Sequence, residues 1–294
     1  MLRDASILRP VVGSIIALAV QVGSATAQAQ SPPQILDTVH LDVTAVADSS
    51  AYRLYQYRIA NPATSRGGVA VVELDLSAPR GTGHAVLPFT GALGPNRRDV
   101  ADHVPLGAIA PERWQMLVDW KARLLWYVYE ILLADGTAPV SFDSVAPGVV
   151  RDGFGVRSPY LPGVREFAAI PTEQSCCTKP NAQGELPTPF LFRVRSFTVA
   201  PTYPPEKMTF QVLGELLGRA CGELGWIGQV GVCQSLRIKL GPAGRSGQHE
   251  DDARKDSLRA FIAELDAQHG PGKPVSDNAY WLLKVNAEYL LAHM

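Results

Sequence analysis

The stretch VAPTYPPEKMTFQVLGELLGRAC at residues 199–221 decides the fold class, because the spacing of its apolar residues changes in the middle. Upstream of it, apolar and polar residues alternate, which is typical of half-buried β-strands. After Pro205 the apolar residues recur at intervals of three and four, which predicts an amphipathic helix. The sequence therefore predicts a β-rich domain over residues 30–203 and a helical domain over residues 204–294.

Period-two patterns dominate the first of these domains, and Gly/Pro-rich stretches separate them. With no helical periods between the strands, we expect an antiparallel β-sandwich of immunoglobulin-like or fibronectin-like architecture. The clearest inward-facing sets are Val39, Leu41 and Val43, then Tyr55, Tyr57 and Ile59, then Val72, Leu74 and Leu76.

Several segments of this domain are harder to assign. Residues 124–133 (LLWYVYEILL) are apolar on both faces, which favours a central strand, with a helix as the alternative. The strand at 189–199 changes phase before Phe197, which a β-bulge or a crossing between sheets would explain. We expect long irregular connections at 78–110 and 153–189.

The helical domain contains three clear amphipathic patterns and a shorter one at 230–240. The second pattern ends at Gly270, and Ser276 or Asp277 is a suitable N-cap for the third. Their apolar stripes must pack together, which predicts a small all-α bundle of three or four helices. Asn286 lies on the apolar side of the last helix, where packing is favoured over ligand binding.

The order of VCQSLRIKL at 232–240, DSLRAFIAEL at 256–265 and NAYWLL at 278–283 resembles the FIMAH-type helical module. That resemblance covers about residues 206–293 and implies an accessory rather than a catalytic role. Residues 241–244 (GPAG) depart from the pattern, because they break a helix that continues in the module. The whole chain is also similar to uncharacterised secreted bacterial proteins, which implies no function.

The N-terminus predicts export. Arg3 and Arg9 precede the apolar residues 11–22, and Ala25 and Ala27 follow, so residues 1–29 resemble a Sec-type signal peptide. We therefore expect an extracytoplasmic protein, periplasmic or secreted, without a membrane span after cleavage. The net charge of -1 gives no electrostatic reason to expect a nucleic-acid partner.

Four cysteines in an exported chain favour disulfides over metal binding or catalysis. Cys221 and Cys233 lie on apolar faces of neighbouring helices, and we expect them to pair. For the adjacent Cys176 and Cys177 three alternatives stay open: a vicinal disulfide, one bridge to each helical cysteine, or a reduced pair. Two adjacent cysteines match zinc-knuckle spacing poorly, so we expect no metal site.

The sequence contains no recognised catalytic motif, and we expect no cofactor. These observations favour an exported, non-catalytic protein that binds a glycan, an envelope component or a protein. One alternative is an extracytoplasmic hydrolase with a site near Asp99, Asp102 and His103; the other is a self-associating structural component of the envelope. The polar loop that either binding or hydrolysis would use consists of Arg97, Arg98, Asp99, Asp102 and His103.

Overall fold

A computed structural model of the chain describes residues 36–47, 52–77, 107–118, 123–128, 143–172, 193–243 and 251–294. The predicted signal peptide, the polar loop at 97–103 and the cysteine pair at 176–177 lie outside these residues. The described residues all belong to one compact unit. None of the helices in this part of the chain is long and apolar enough to cross a membrane.

The described strands form two antiparallel sheets. Sheet A has the order β1-β2-β7-β4 and sheet B the order β5-β6-β3-β8-β9. The predicted order of antiparallel sheets followed by helices is confirmed. The strands are β1 (His40–Ala47), β2 (Arg53–Ala60), β3 (Val69–Asp75), β4 (Ala108–Ile109), β5 (Trp114–Val118), β6 (Arg123–Val128), β7 (Val150–Ser158), β8 (Leu161–Pro171) and β9 (Val194–Tyr203).

Aromatic side chains from both sheets meet in the interior. Trp126 on β6 is fully buried, and its ring centroid lies 5.5 Å from that of Tyr57 on β2 and 5.6 Å from that of Phe154 on β7. Trp114 on β5 meets the Phe154 ring edge-on at 4.8 Å. This cluster therefore joins sheet A to sheet B across the interior, where aromatic rings bury large areas.

The expected irregular connection at 153–189 is wrong for its first half. Residues 153–171 lie in β7 and β8, which are joined at 159–160. Glycine is typical of chain breaks, but Gly163 permits a close approach inside the sheet: a Cβ there would lie 2.5 Å from the Cβ of Thr202 on β9.

The change of phase near Phe197 has a simpler explanation than a bulge or a crossing. The β8–β9 register is continuous from Val194 to Ala200, and its one shift lies further along, between Leu161 and Pro162 on β8. Phe197 is 38% exposed, whereas Thr198 and Val199, which lie on opposite faces, are both buried, so the second half of β9 is covered on both faces. In the same sheet, β6 lies between β5 and β3, so the described part of the 124–133 segment is an internal strand.

The described helices pack on one another, α1 and α3 each against α2 and α4. Ser276 caps α4 by accepting a hydrogen bond from the Ala279 backbone, as its position predicts. A disulfide joins Cys221 and Cys233, which is the predicted pairing and leaves neither for a bridge to Cys176 or Cys177. The helices are α1 (Phe210–Cys221), α2 (Val230–Ala243), α3 (Asp251–Gln268) and α4 (Asp277–Ala292).

Two buried amides attach α4 to the sheets. β1 is an edge strand, and the Asn278 side chain satisfies its free edge: Oδ1 accepts from the Val43 backbone at 3.1 Å and Nδ2 donates to the Leu41 carbonyl at 3.3 Å. Two turns later, Asn286 Nδ2 donates to the Pro162 carbonyl of β8 at 2.9 Å. Asn278 therefore satisfies two backbone groups of β1 in place of a neighbouring strand, and α4 packs along this edge of sheet A.

Replacing Asn278 by alanine should lower the free energy of unfolding by about 2 kcal/mol, because the buried Val43 N–H would lose its partner. Urea unfolding monitored by circular dichroism measures the change. Gln234→Ala, which removes an exposed amide from α2, is the control and should change the free energy by less than about 0.5 kcal/mol. Equal stabilities of the two variants would show that the Asn278 contact contributes nothing.

Candidate functional site

The described residues place a polar groove on the outer face of sheet A, where the sheet meets the start of α4. Its volume is about 340 Å³. The polar loop predicted from sequence is not part of it, because that loop lies outside the described residues. The groove is lined by Asp42, Val43, Thr44, Gln56, Tyr57, Arg58, Ile109, Asp152, Gly153, Phe154 and Asp277.

Strand register brings the polar lining residues together. Asp42 on β1 lies directly opposite Arg58 on β2, and Thr44 lies opposite Gln56. Because alternate residues of a strand face the same side, all four point away from the interior, while Val43 and Tyr57 point into it. The alternation that buries the core therefore also builds the floor of the groove.

An irregularity in β7 adds a third acidic side chain. Tyr57 pairs with Phe154 and Ile59 with Arg151, so Asp152 and Gly153 together lie opposite the single residue between them on β2. This is the arrangement of a β-bulge. Gly153 has a φ of 99°, in the region that favours glycine, and a Cβ there would lie 3.0 Å from the Cβ of Pro111. Glycine therefore suits the position because of both its backbone conformation and the lack of space for a side chain.

Arg58 joins the sheet to the helical part electrostatically. Its Nη2 atom lies 3.4 Å from Asp42 Oδ2 and 3.1 Å from Asp277 Oδ2. Asp277 is the first residue of α4, where the helix dipole stabilises a negative charge. Asp152 makes no ion pair or hydrogen bond with the described residues, so the groove contains more carboxylate than guanidinium charge.

A chain of contacts extends from the groove across the helices. His269 Nε2 lies 2.8 Å from Asp277 Oδ1, and the His269 ring stacks on Tyr280 with centroids 3.9 Å apart. The Tyr280 hydroxyl and the Lys284 ammonium both donate to Asp266, at 2.7 and 2.6 Å. Partial burial raises the pKa of Asp266, but these two hydrogen bonds outweigh it, so its pKa lies below the usual range. Through these contacts Asp277, which lines the groove, is connected to Asp266 on α3 and Lys284 on α4.

The lining side chains are mostly polar and charged. The described lining has three carboxylates, one guanidinium, the Gln56 amide and the hydroxyls of Thr44 and Tyr57, and it includes no serine, cysteine or histidine. Within the described ranges, no group of three or more histidine, cysteine, aspartate or glutamate side chains is arranged to hold a metal ion. Carboxylates, an amide and a guanidinium can together recognise a charged polar ligand.

A second charged cavity, of about 290 Å³, lies on the outer face of sheet B. Glu73 on β3 belongs to an alternating pattern that predicts exposure, yet it is buried. Its Oε2 atom accepts hydrogen bonds from Arg123 at 2.8 Å and Arg193 at 3.2 Å, which compensates for burial of the charge. Acidic and basic side chains are balanced here, with Arg195 bonded to Glu166. Sheet B therefore offers less net charge to a ligand than the groove does.

Sequence reasoning missed the groove because its residues come from four strands and a helix. Asp42 and Arg58 stand at the polar positions of alternating patterns, where a solvated surface is the ordinary interpretation. Of the polar and charged lining residues other than Tyr57, the sequence pattern picks out only Asp277, as a candidate cap of α4, and Ser276 fills that role. The signal that could have found the site is opposite charge at facing positions of adjacent strands, and it requires the strand register.

Comparison with known proteins leaves the groove as the main guide to function. No protein-family model matches the chain, and no curated protein matches it.

Proposed function

We propose that the chain is an exported, non-catalytic protein that binds a polypeptide carrying basic side chains in the groove of sheet A. The observation that carries this proposal is the composition of the groove. Three carboxylates, from Asp42, Asp152 and Asp277, face one guanidinium, and Asp152 has no partner among the described residues. A lysine or arginine side chain would complete the charge balance.

The same groove favours a polypeptide over a glycan. Sugar rings usually stack on exposed aromatic faces, but the tryptophans of the described strands, Trp114 and Trp126, are buried. Tyr52 is 38% exposed, yet the Arg157 guanidinium lies 4.7 Å from its ring centroid. Ile109, 44% exposed, gives the groove an aliphatic wall that suits a peptide side chain.

Export, the immunoglobulin-like or fibronectin-like topology and the FIMAH-type nature of the helical part belong to the same proposal. The Cys221–Cys233 disulfide supports export, since disulfides persist mainly outside the cytoplasm. An accessory role agrees with the absence of a serine, cysteine or histidine from the described groove lining. The hydrolase alternative depends on Asp99, Asp102 and His103, which lie outside the described residues, and self-association also stays a prediction.

A binding assay with the Asp152→Asn variant tests the proposal. The probes are synthetic lysine-rich and glutamate-rich peptides, together with insoluble cellulose, chitin and peptidoglycan. We expect retention of the lysine-rich peptide and a loss of affinity of about fivefold in the variant, as for one half-exposed ion pair. Because the attraction is electrostatic, the affinity should also fall as the salt concentration rises.

The matched control is Asp256→Asn, which makes the same charge change on α3, where Arg259 is the ion-pair partner of the residue in the described part of the chain. This variant should bind like the wild-type chain. Equal losses in both variants would show a non-specific effect of net charge. If the chain binds the polysaccharides and shows no preference for the lysine-rich peptide, the proposal of a basic polypeptide ligand is wrong and the ligand is a glycan.

A further inference from the structure

A histidine outside the groove lining contacts a groove residue directly. His269 follows α3, which ends at Gln268, and 23% of its side chain is exposed. Its Nε2 atom lies 2.8 Å from Oδ1 of Asp277, whose other oxygen, Oδ2, lies 3.1 Å from Arg58 Nη2. The two oxygens of Asp277 therefore contact different partners: an arginine, which is always charged, and a histidine, whose charge depends on pH.

The fold holds this histidine in place. The His269 ring stacks on the ring of Tyr280 in the first turn of α4, with centroids 3.9 Å apart and ring planes only 8° apart. In the short connection between α3 and α4, the Val275 backbone N–H donates to the Gln268 carbonyl at 3.2 Å. Because the ring is already fixed by stacking, its contact with Asp277 costs little side-chain entropy.

Charges of both signs surround His269. The Asp266 carboxylate on α3 interacts with it electrostatically, and the C-terminal end of that helix places negative partial charge beside the ring. Lys284 on α4 binds Asp266, and Lys273 in the connection donates to a carbonyl of the last turn of α3 at 2.7 Å. Asp277 is both a contact of His269 and a lining residue of the groove, so a proton on the imidazole acts on the groove through Asp277.

We propose that His269 determines the affinity of the groove for its ligand, and that protonation of this histidine weakens the binding of a basic side chain. The inference rests on the proposed function, because it concerns the same groove. A carboxylate can only accept, so the neutral imidazole donates its Nε2–H to Asp277 and leaves the charge of the carboxylate to Arg58 and the ligand. The protonated imidazole is a second cation beside Asp277, so less negative charge remains to attract a lysine side chain.

The affinity of the full chain for the lysine-rich peptide, measured at about pH 8 and about pH 5.5 at constant ionic strength, tests this proposal. The wild type should bind about threefold more weakly at the lower pH, which is the size expected for one half-exposed ion pair. Aspartate and lysine side chains ordinarily keep their charge over this range, so the change reports mainly on histidine. The His269→Gln variant has an amide that can donate to Asp277 but cannot gain a charge, so its affinity should be the same at both pH values.

Two other histidines of the described residues are the matched controls. His293 follows α4, where its ring stacks on Tyr289 and bonds to the Tyr289 carbonyl. His40 is an exposed residue of β1, two positions from Asp42, and lies outside the groove lining. His293→Gln and His40→Gln should each keep the wild-type pH dependence.

Proton release provides a second readout. Because the ligand favours the neutral imidazole, peptide binding at about pH 6.5 should release a fraction of a proton from the wild type and none from His269→Gln. Calorimetry in buffers of different ionisation enthalpy measures this release, and the wild type alone decides the question if His269→Gln does not fold.

The results that contradict this inference differ from those that contradict the proposed function. Equal pH dependence in the wild type and His269→Gln would overturn the inference while the proposed function stands, and so would peptide binding without proton release. Loss of the pH dependence in His40→Gln would also overturn it, because the effect would then come from β1. A chain that binds the lysine-rich peptide at neither pH would overturn both proposals.

Discussion

Replacing Trp126 by alanine is expected to lower the free energy of unfolding by about 4 kcal/mol, the largest effect of any single substitution considered for this protein. The side chain is fully buried at the contact between the sheets. Its removal would leave a cavity beside the rings of Tyr57 and Phe154, which belong to strands that cannot collapse into the space. Both the transfer of the indole from water and the cavity contribute to the loss.

Trp126 also holds one wall of the groove. Its indole Nε1 donates to the backbone carbonyl of Ile109 at 2.9 Å, which ties the short edge strand β4 to the interior. Trp126→Phe keeps most of the ring volume and removes this donor, so it should cost only about 1–2 kcal/mol. Because Ile109 lines the groove, we expect this milder variant to weaken peptide binding more than its stability loss would suggest.

Guanidinium unfolding measures the first effect and the peptide assay the second. Ile238→Ala is a suitable control, because this α2 residue is 73% exposed and its loss should change stability by less than about 0.5 kcal/mol. A Trp126→Ala variant within 1 kcal/mol of the wild type would mean that the sheets do not depend on the aromatic cluster. An unchanged ligand affinity in the Trp126→Phe variant would show that the bond between Trp126 and β4 does not affect ligand binding.

Periodicity predicted the strands and helices well because it reports directly on burial. Leu41, Val43, Tyr55 and Tyr57 are all buried, as their alternation predicts, and the change of period after Pro205 falls where β9 gives way to α1. The errors arose where one residue type serves two purposes. Glycine is typical of loops, but at Gly163 it allows two strands to approach closely.

Contacts between residues that are far apart in the chain could not be predicted from the sequence, for a physical reason. Glu73 occupies a polar position of β3, where exposure is the ordinary expectation. It can be buried because Arg123 and Arg193, from distant parts of the chain, donate hydrogen bonds to its carboxylate. Asn278 looks like an ordinary helix residue until β1 lies beside it. The groove has the same origin, since Asp277 reaches Arg58 across more than two hundred residues of chain. Such contacts depend on register and packing, which local patterns do not encode.

Loss of the Cys221–Cys233 disulfide is expected to lower the free energy of unfolding by about 3 kcal/mol. The bond closes a short loop, with a sequence separation of 12, and joins the end of α1 to the first turn of α2. In the chain-entropy account, the cross-link removes conformations from the unfolded state and so favours folding. The Cys221→Ser/Cys233→Ser variant should show the full loss in guanidinium unfolding, because Cys233 is also buried.

The matched control is Cys176→Ser/Cys177→Ser, since reductant would act on any bond that those cysteines make. If the helical disulfide is the stabilising one, dithiothreitol should destabilise this control as much as the wild type, and should leave the Cys221→Ser/Cys233→Ser variant unchanged. The opposite pattern would assign the stabilisation to Cys176 and Cys177.

Loss of the Cys221–Cys233 disulfide should also affect the groove. Because α1 contacts α4, and α4 packs along the edge of β1, a less rigid α1 should change the position of the α4 residue that lines the groove. A reduced chain that keeps full affinity for the lysine-rich peptide would show that the groove is held by the sheets alone.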